Sequence, residues 1–388
     1  MDIFEYLFWI LLTLVFYTYL GYGILLLVLV KIKRLFIKAK TENPDFEPEV
    51  CLIIPCYNEE DFIREKANNS LELDYPKNKL RIAFITDGST DRTTHILSQI
   101  KGIEVWHQDG RAGKAAAQNR AMKLNTAPFV VFSDANTLLN KEAIRKLVRH
   151  YANKEVGGVS GEKRVISTFN AELSGAGEGL YWKYESTLKK LDSELKTIVG
   201  AAGELVSFRS ELWTDLETDS ILDDFMQSMR IAAKGYRFIY EPEAYAMETP
   251  SANFKEELKR KVRIAAGGWQ SMSRLKAILL PWPDPVLSFM YISHRVLRWS
   301  LAALALPILF VLNAIILRES IVYSVLFSAQ LLFYALAAWG YKDALNNRKN
   351  GINYVPFYFS MMNYAVFAGF LRWRRGKQSA AWERSKRA

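Results

Sequence analysis

The chain has 388 residues, 50% of them hydrophobic, 13% aromatic and 24% charged, with a formal net charge of +10. A basic balance suits either nucleic acid or a membrane face with a phosphate-bearing ligand. The positions of the basic residues favour the second, because they flank apolar runs: Lys31, Lys33, Arg34, Lys38 and Lys40 after the first, and Arg372, Arg374, Arg375 and Lys377 after the last. No nucleic-acid partner is therefore expected. Cys51 and Cys56 form no disulfide framework and no paired zinc motif, so buried or free thiols are expected.

From Phe4 to Val30 there is no Lys, Arg or Asp. A spanning helix needs about 20 apolar residues. This run is too long for a signal peptide and has no basic stretch before it. Residues 1–34 are read as a transmembrane helix. Asp2 and Glu5 stand before it and the basic group after it, so the domain that follows is expected on the cytoplasmic side, in contact with membrane lipids.

Past the linker Thr41–Pro48, residues 48–280 alternate short apolar runs with helical patterns. Val50–Ile54, Ile82–Ile85, Ile103–Trp106 and Phe129–Phe132 read as buried parallel strands. Glu59–Leu71, Asp91–Ile100 and Lys114–Leu124 read as the helices between them. This is the rhythm of a Rossmann-like, mostly parallel α/β sheet, whose ligands bind beyond the carboxyl ends of the strands. Neither GxGxxG nor GxxxxGK[ST] occurs, which removes the main support for a dinucleotide fold or a P-loop.

Residues 281–299 read as an interfacial amphipathic helix with His294, Arg295 and Arg298 among aromatics. Residues 300–372 hold further membrane segments, Ser300–Leu317 and Ile321–Gly340 forming a hairpin. Ile352–Leu371, with Asn353, Pro356 and Asn363, reads as a re-entrant or interfacial element, which leaves the basic tail 373–388 cytoplasmic.

The strand ends carry Ile54-Pro55-Cys56-Tyr57-Asn58-Glu59, Asp87-Gly88-Ser89-Thr90-Asp91 and Ser133-Asp134-Ala135-Asn136. Further on stand Leu222-Asp223-Asp224 and Arg260-Lys261-Val262-Arg263-Ile264. In this order the motifs resemble the inverting family 2 glycosyltransferases of GT-A fold, particularly the membrane-integrated polysaccharide synthases, over nearly the whole chain. The resemblance implies a nucleotide-sugar donor, a UDP-sugar, and a growing exopolysaccharide or lipid-linked saccharide as acceptor, at the inner membrane in a multi-pass chain. Pro55, Tyr57 and Glu59 match the turn against the nucleoside, Asp87 the aspartate at the base, and Lys114 a lysine at the nucleotide. Asp134 and Asn136 occupy the DxD position for Mg²⁺ or Mn²⁺, hard cations that take oxygen ligands. Asn136 departs from that pattern, and a purely structural Asx-turn competes with ligation there.

Asp224 matches the catalytic base, which an inverting transfer needs to deprotonate the acceptor hydroxyl. Asp223 also suits a helix N-terminus. Gly203 and Glu204 resemble the acceptor-lining loop, and Arg263 the arginine that grips the diphosphate. Ile264 stands where processive members carry Trp, so chain extension and single addition both stay open. A degenerate, non-enzymatic scaffold in an export complex is the alternative class.

Overall fold

In a computed structural model the described residues are 3–37, 43–165, 176–251, 253–346, 348 and 351–376. Asp2, Lys38, Lys40, the start of the linker at Thr41 and the basic tail from Lys377 onward lie outside them.

The four strands expected from apolar runs are β1 (Val50–Cys56), β2 (Leu80–Thr86), β3 (Glu104–Trp106) and β4 (Phe129–Ser133). They pair in parallel. Alternate residues of β1 bury into opposite cores: Val50, Leu52 and Ile54 join one, Cys51 and Ile53 the other. Two covered faces explain why the strand reads as continuous apolar sequence. Both cysteines are free and buried, and burial raises both thiols, Cys51 to about 12.

The sheet continues with β5 (Leu138–Leu139), β6 (Val156–Val165), β7 (Leu205–Arg209) and β8 (Arg237–Glu248). Its order is β3-β2-β1-β4-β7-β6-β8-β5. β7 runs antiparallel to β4 and β6, β8 runs parallel to β6, and β5 runs antiparallel to β8. The parallel half thus stands beside a mixed half, and both present their loops to one edge.

Among the described residues two helices are long and apolar enough to cross a membrane, Ile3–Phe36 and Ile321–Leu345, or three if the bent pair Pro285–Trp299 and Leu301–Ile315 makes one span. Their outward faces expose large apolar side chains, among them Ile10, Ile24, Leu332 and Trp339. Of the stretch Ile352–Leu371, the residues from Tyr354 onward belong to one unbroken helix, Tyr354–Arg374, which does not reach spanning length and hydropathy together. The segment after Pro285 is helical, and Pro285–Trp299 is bent by 51° against Leu301–Ile315. His294, Arg295 and Arg298 are buried. They turn inward because the helix Ala176–Leu195 supplies buried carboxylates, Glu185 and Asp192.

Candidate active site

The turn after β1 and the turn after β2 are clasped together. Asn58, at φ 53°, accepts from the Thr90 main chain at 2.8 Å. The Glu59 N–H donates to Thr93 Oγ1 at 2.8 Å. Asp91 accepts from the N–H groups of Thr93 and Glu60 and so caps the next helix. The Arg111 guanidinium covers the Tyr57 ring at 3.9 Å.

Asp87 is buried at the end of β2. Its carboxylate accepts from the main-chain N–H of Ala112 at 3.0 and 3.2 Å and of Gly113 at 2.7 Å. Those contacts hold the loop in which Gly113 adopts φ 97°, a left-handed conformation that suits glycine. The helix Lys114–Leu124 starts at the next residue. Asp87 therefore organises the loop that places Lys114, a role the sequence motif did not reveal.

Lys114 reaches Asp134 Oδ1 at 2.8 Å and Asp223 Oδ2 at 3.5 Å. Burial opposes its charge, but Asp134 and then Asp223 outweigh burial and hold the ammonium above the usual lysine range. Asp223 also accepts from Gln118 at 2.6 Å. Asp223 and Asp224 open the helix Asp223–Ala233, where the N–H dipoles favour carboxylates.

Asp224 faces the loop that carries Gly203. A Cβ at Gly203 would stand 3.1 Å from Asp224 Oδ2, so the glycine keeps that carboxylate accessible. Burial and then the neighbouring Asp223 push the Asp224 carboxyl up to about 7, against the pull of Lys114. Beside it, Glu204 pairs with Lys163 at 2.6 Å, and Lys163 also pairs with Glu248. Burial opposes the Glu204 charge, but Lys163 outweighs it and holds the carboxyl below the usual range.

The turn Ser133–Thr137 rests on a residue that sequence reasoning missed. Lys66 is fully buried on the helix Ile63–Leu71, and its ammonium donates to Ser133 Oγ at 2.7 Å and Thr137 Oγ1 at 3.3 Å. It clamps both ends of the turn bearing Asp134 and Asn136. The available signal was its spacing: Ile63, Lys66, Ala67 and Ser70 fall on one helical face.

One cavity of about 1140 Å³ gathers Glu59, Lys114, Asp134, Asn136, Gly203, Glu204, Asp224 and Arg263. Pro55, Tyr57 and Asp87 stand outside its lining, at the neighbouring strand ends. The Arg263 Nε is buried without a hydrogen-bond partner among the described residues. Ile264 lines the cavity; Trp269 does not and instead packs on Phe370 and Trp373. Of the aromatics that do line it, Trp182 comes from a helix that sequence reading left unassigned and Trp299 from the end of the segment 281–299.

For a divalent cation the described residues offer no group of three or more acidic, His or Cys ligands. Asp134 and Asn136 give one carboxylate and one amide oxygen on a single turn. That pair fits Mg²⁺ or Mn²⁺ with substrate phosphates and water completing the shell, the usual manner of Mg²⁺.

Asp87→Asn removes one anionic oxygen from three main-chain contacts. The expected result is faster amide exchange at Ala112 and Gly113 and a stability loss of about 1–3 kcal/mol. Unchanged exchange at both amides in the variant would show that the loop does not depend on Asp87.

Residues 51–213 match the family model of glycosyl transferase family 2. Among curated proteins, the poly-beta-1,6-N-acetyl-D-glucosamine synthase of Staphylococcus aureus (strain MSSA476) is 29% identical over 244 residues, 60% of this chain and 57% of that protein. The Staphylococcus epidermidis synthase is 25% identical over 243 residues, 61% of this chain and 58% of its own. The chain thus spans less than three fifths of the curated relatives it matches. Among solved structures, a mannosyltransferase from Pyrobaculum calidifontis, in complex with GDP-Man and Mn²⁺, superposes with a TM-score of 0.74 at 24% identity, over 96% of this chain and 100% of that one. Sheet order and superposition agree on a GT-A-like fold, and residues 51–213 within it are similar to glycosyl transferase family 2.

Proposed function

We propose that the chain transfers a sugar, with inversion, from a nucleoside diphosphate sugar to a saccharide carried on a lipid at the membrane. The observation that carries this reading is the continuity of the cavity. Its lining joins Asp134, Asp224 and Arg263 to Phe16 and Leu20 of the first apolar helix and Met362 and Val366 of the helix Tyr354–Arg374. A soluble acceptor needs no such apolar wall. Lys31, Lys33 and Arg34, in the last turns of the helix Ile3–Phe36, support a catalytic domain on the cytoplasmic face.

In this mechanism Arg263, with its open Nε, grips the diphosphate in the bidentate manner of guanidinium. Lys114 holds its positive charge at the same site. Asp134 and Asn136 would hold a divalent cation, which when bound would supply charge neutralisation to the leaving diphosphate. Asp224 takes the proton of the acceptor hydroxyl as that oxygen attacks the anomeric carbon, and the nucleoside diphosphate leaves from the opposite face. Its raised carboxyl suits the task, because a base works best with a pKa near the operating pH. The motif resemblance favours a UDP-sugar as the donor. Polymer extension is the second reading, favoured by the similarity to the staphylococcal synthases.

Five outcomes test this. With the chain in lipid, labelled UDP- and GDP-sugars and Mn²⁺ or Mg²⁺, a single-sugar addition to a lipid-linked saccharide is expected; a ladder of long products favours the second reading. Asp224→Asn should lower kcat by about 10²–10⁴-fold with nucleotide affinity unchanged, and an unchanged rate would leave only a scaffold. The pH profile of kcat/KM should rise to a plateau with an inflection near 7, since only ionised Asp224 accepts the proton. Asp223→Asn removes the neighbouring negative charge and should move that inflection to lower pH; no movement would take the base role from Asp224. Ile264→Trp should lengthen products if acceptor retention is limited at this wall, and unchanged length would place retention elsewhere.

A further inference from the structure

Lys66, Ser133 and Thr137 are buried behind the cavity, and none of them lines it. The ladder between β4 and β7 ends with Ser133 opposite Leu205. The turn that follows Ser133 and the loop that precedes Leu205 therefore lie beyond the sheet, and side chains join them there. Ser133 Oγ donates to the Glu204 carbonyl at 3.1 Å, and Thr137 Oγ1 donates to the Asp134 carbonyl at 2.9 Å. The two hydroxyl oxygens stand 3.2 Å apart, and Lys66 Nζ donates to both, at 2.7 and 3.3 Å.

A hydroxyl has one proton to give and two lone pairs to offer. With the Ser133 proton on Glu204 and the Thr137 proton on Asp134, the two oxygens face each other with lone pairs alone. That arrangement needs a third group that donates to both. A lysine supplies donors and no acceptor. Burial lowers the Lys66 amine to about 7, with Asp134 opposing the shift. Charged or neutral, it keeps two N–H donors, enough for both oxygens. Without it, one hydroxyl would turn its proton to the other and let go of a carbonyl, either Glu204 in the acceptor loop or Asp134 in the cation turn. The helix Ile63–Leu71 that carries Lys66 follows Glu59, Asp61 and Phe62, which line the cavity. Three walls of the cavity thus meet at one nitrogen.

We propose that Lys66 is a positioning residue that locks the cation turn to the acceptor loop, so that filling one site orders the other. This rests on the assignment of Asp134 and Asn136 to the cation and of Gly203 and Glu204 to the acceptor. Lys66 itself stays behind both loops, out of reach of the reacting groups. Its effect travels through Ser133 to the Glu204 carbonyl and through Thr137 to the Asp134 carbonyl. A cation with nucleotide at the turn then steadies the loop that receives the acceptor, and by linkage an acceptor in that loop tightens the cation by the same factor.

The test uses the full chain in nanodiscs of phosphatidylcholine, with Mn²⁺ and UDP, and Mn²⁺ and GDP in parallel, as probes. Mn²⁺ binding is read from its paramagnetic resonance signal, and the acceptor loop from amide exchange at residues 200–205. In the unaltered chain, Mn²⁺ with nucleotide should slow exchange at 200–205. Lys66→Met keeps the apolar stem and removes the donor. It should weaken Mn²⁺ binding about tenfold, the order expected when a buried acceptor loses its partner, and abolish the slowing. Nucleotide affinity without metal should not change. Ser133→Ala cuts the link to Glu204 alone, so it should abolish the slowing while Mn²⁺ affinity holds. Unchanged Mn²⁺ affinity in Lys66→Met, or slowing retained in either variant, would overturn the proposal. Faster exchange along β1 and β2 in both variants would give Lys66 a purely structural role and overturn it too. An unaltered chain that binds no Mn²⁺ with either nucleotide removes the cation assignment itself, whereas one that binds it without slowing exchange at 200–205 removes only the coupling.

Discussion

The site depends on how Lys114 is held among carboxylates. Asp134 and Asp223 pair with it directly, and Asp224 lies within reach of its field. Three carboxylates converging from the ends of different elements would repel one another if left alone. One buried ammonium makes the arrangement tolerable, and its effect is uneven. Asp134 and Asp223 take the ion pairs, while burial and Asp223 leave Asp224 with a raised carboxyl. Acids of one residue type thereby acquire separate roles through their surroundings. The position of Lys114 rests in turn on the two main-chain N–H groups gripped by Asp87.

The parallel half of the sheet was legible because β1, β2 and β4 are covered on both faces, and a doubly buried strand has little choice but continuous apolar sequence. The mixed half was not. β6 begins Val-Gly-Gly-Val-Ser-Gly, and its glycines mark close approach rather than strand propensity: a Cβ at Gly158 would lie 2.2 Å from the Phe238 ring. Asp134, Asp224, Arg263, Gly203 and Glu204 were found from motif order and stand together in the cavity. Asp87 was found, but its bonds to Ala112 and Gly113 were not, since a carboxylate's choice between ligand and main chain depends on where a loop twenty-five residues later comes to lie. Lys66 and Trp182 escaped notice because the meaning of each comes from tertiary neighbours.

The segment after Pro285 shows what a local pattern leaves out. Arg and His among aromatics signal an interfacial helix when only the segment is read. Glu185 and Asp192, about a hundred residues upstream, add what the segment alone cannot show, buried partners for its basic side chains. The resulting junction ties the first apolar helix, through Tyr22, to the same acid that holds His294. Removing one member of such a network leaves the other buried and uncompensated, which is why these contacts fix one orientation of the helices more than they add net stability.

That junction is matched by a second one made of backbone rather than charge. On the helix Tyr354–Arg374, Gly369 lies so near the helix Phe254–Arg274 that a Cβ there would stand 2.6 Å from Ala265 Cβ and 2.7 Å from the Ala266 nitrogen. Arg263 is on that same helix, two residues before Ala265, and faces the cavity. With no compressible side chain between the two helices, displacement of one is passed to the other, because packed interiors transmit strain rather than absorb it. Arg263, proposed at the diphosphate, and Met362 and Val366, proposed at the acceptor lipid, are therefore mounted on two helices in backbone-to-backbone contact, so the spacing between those two ends of the cavity is fixed by packing rather than by a loop.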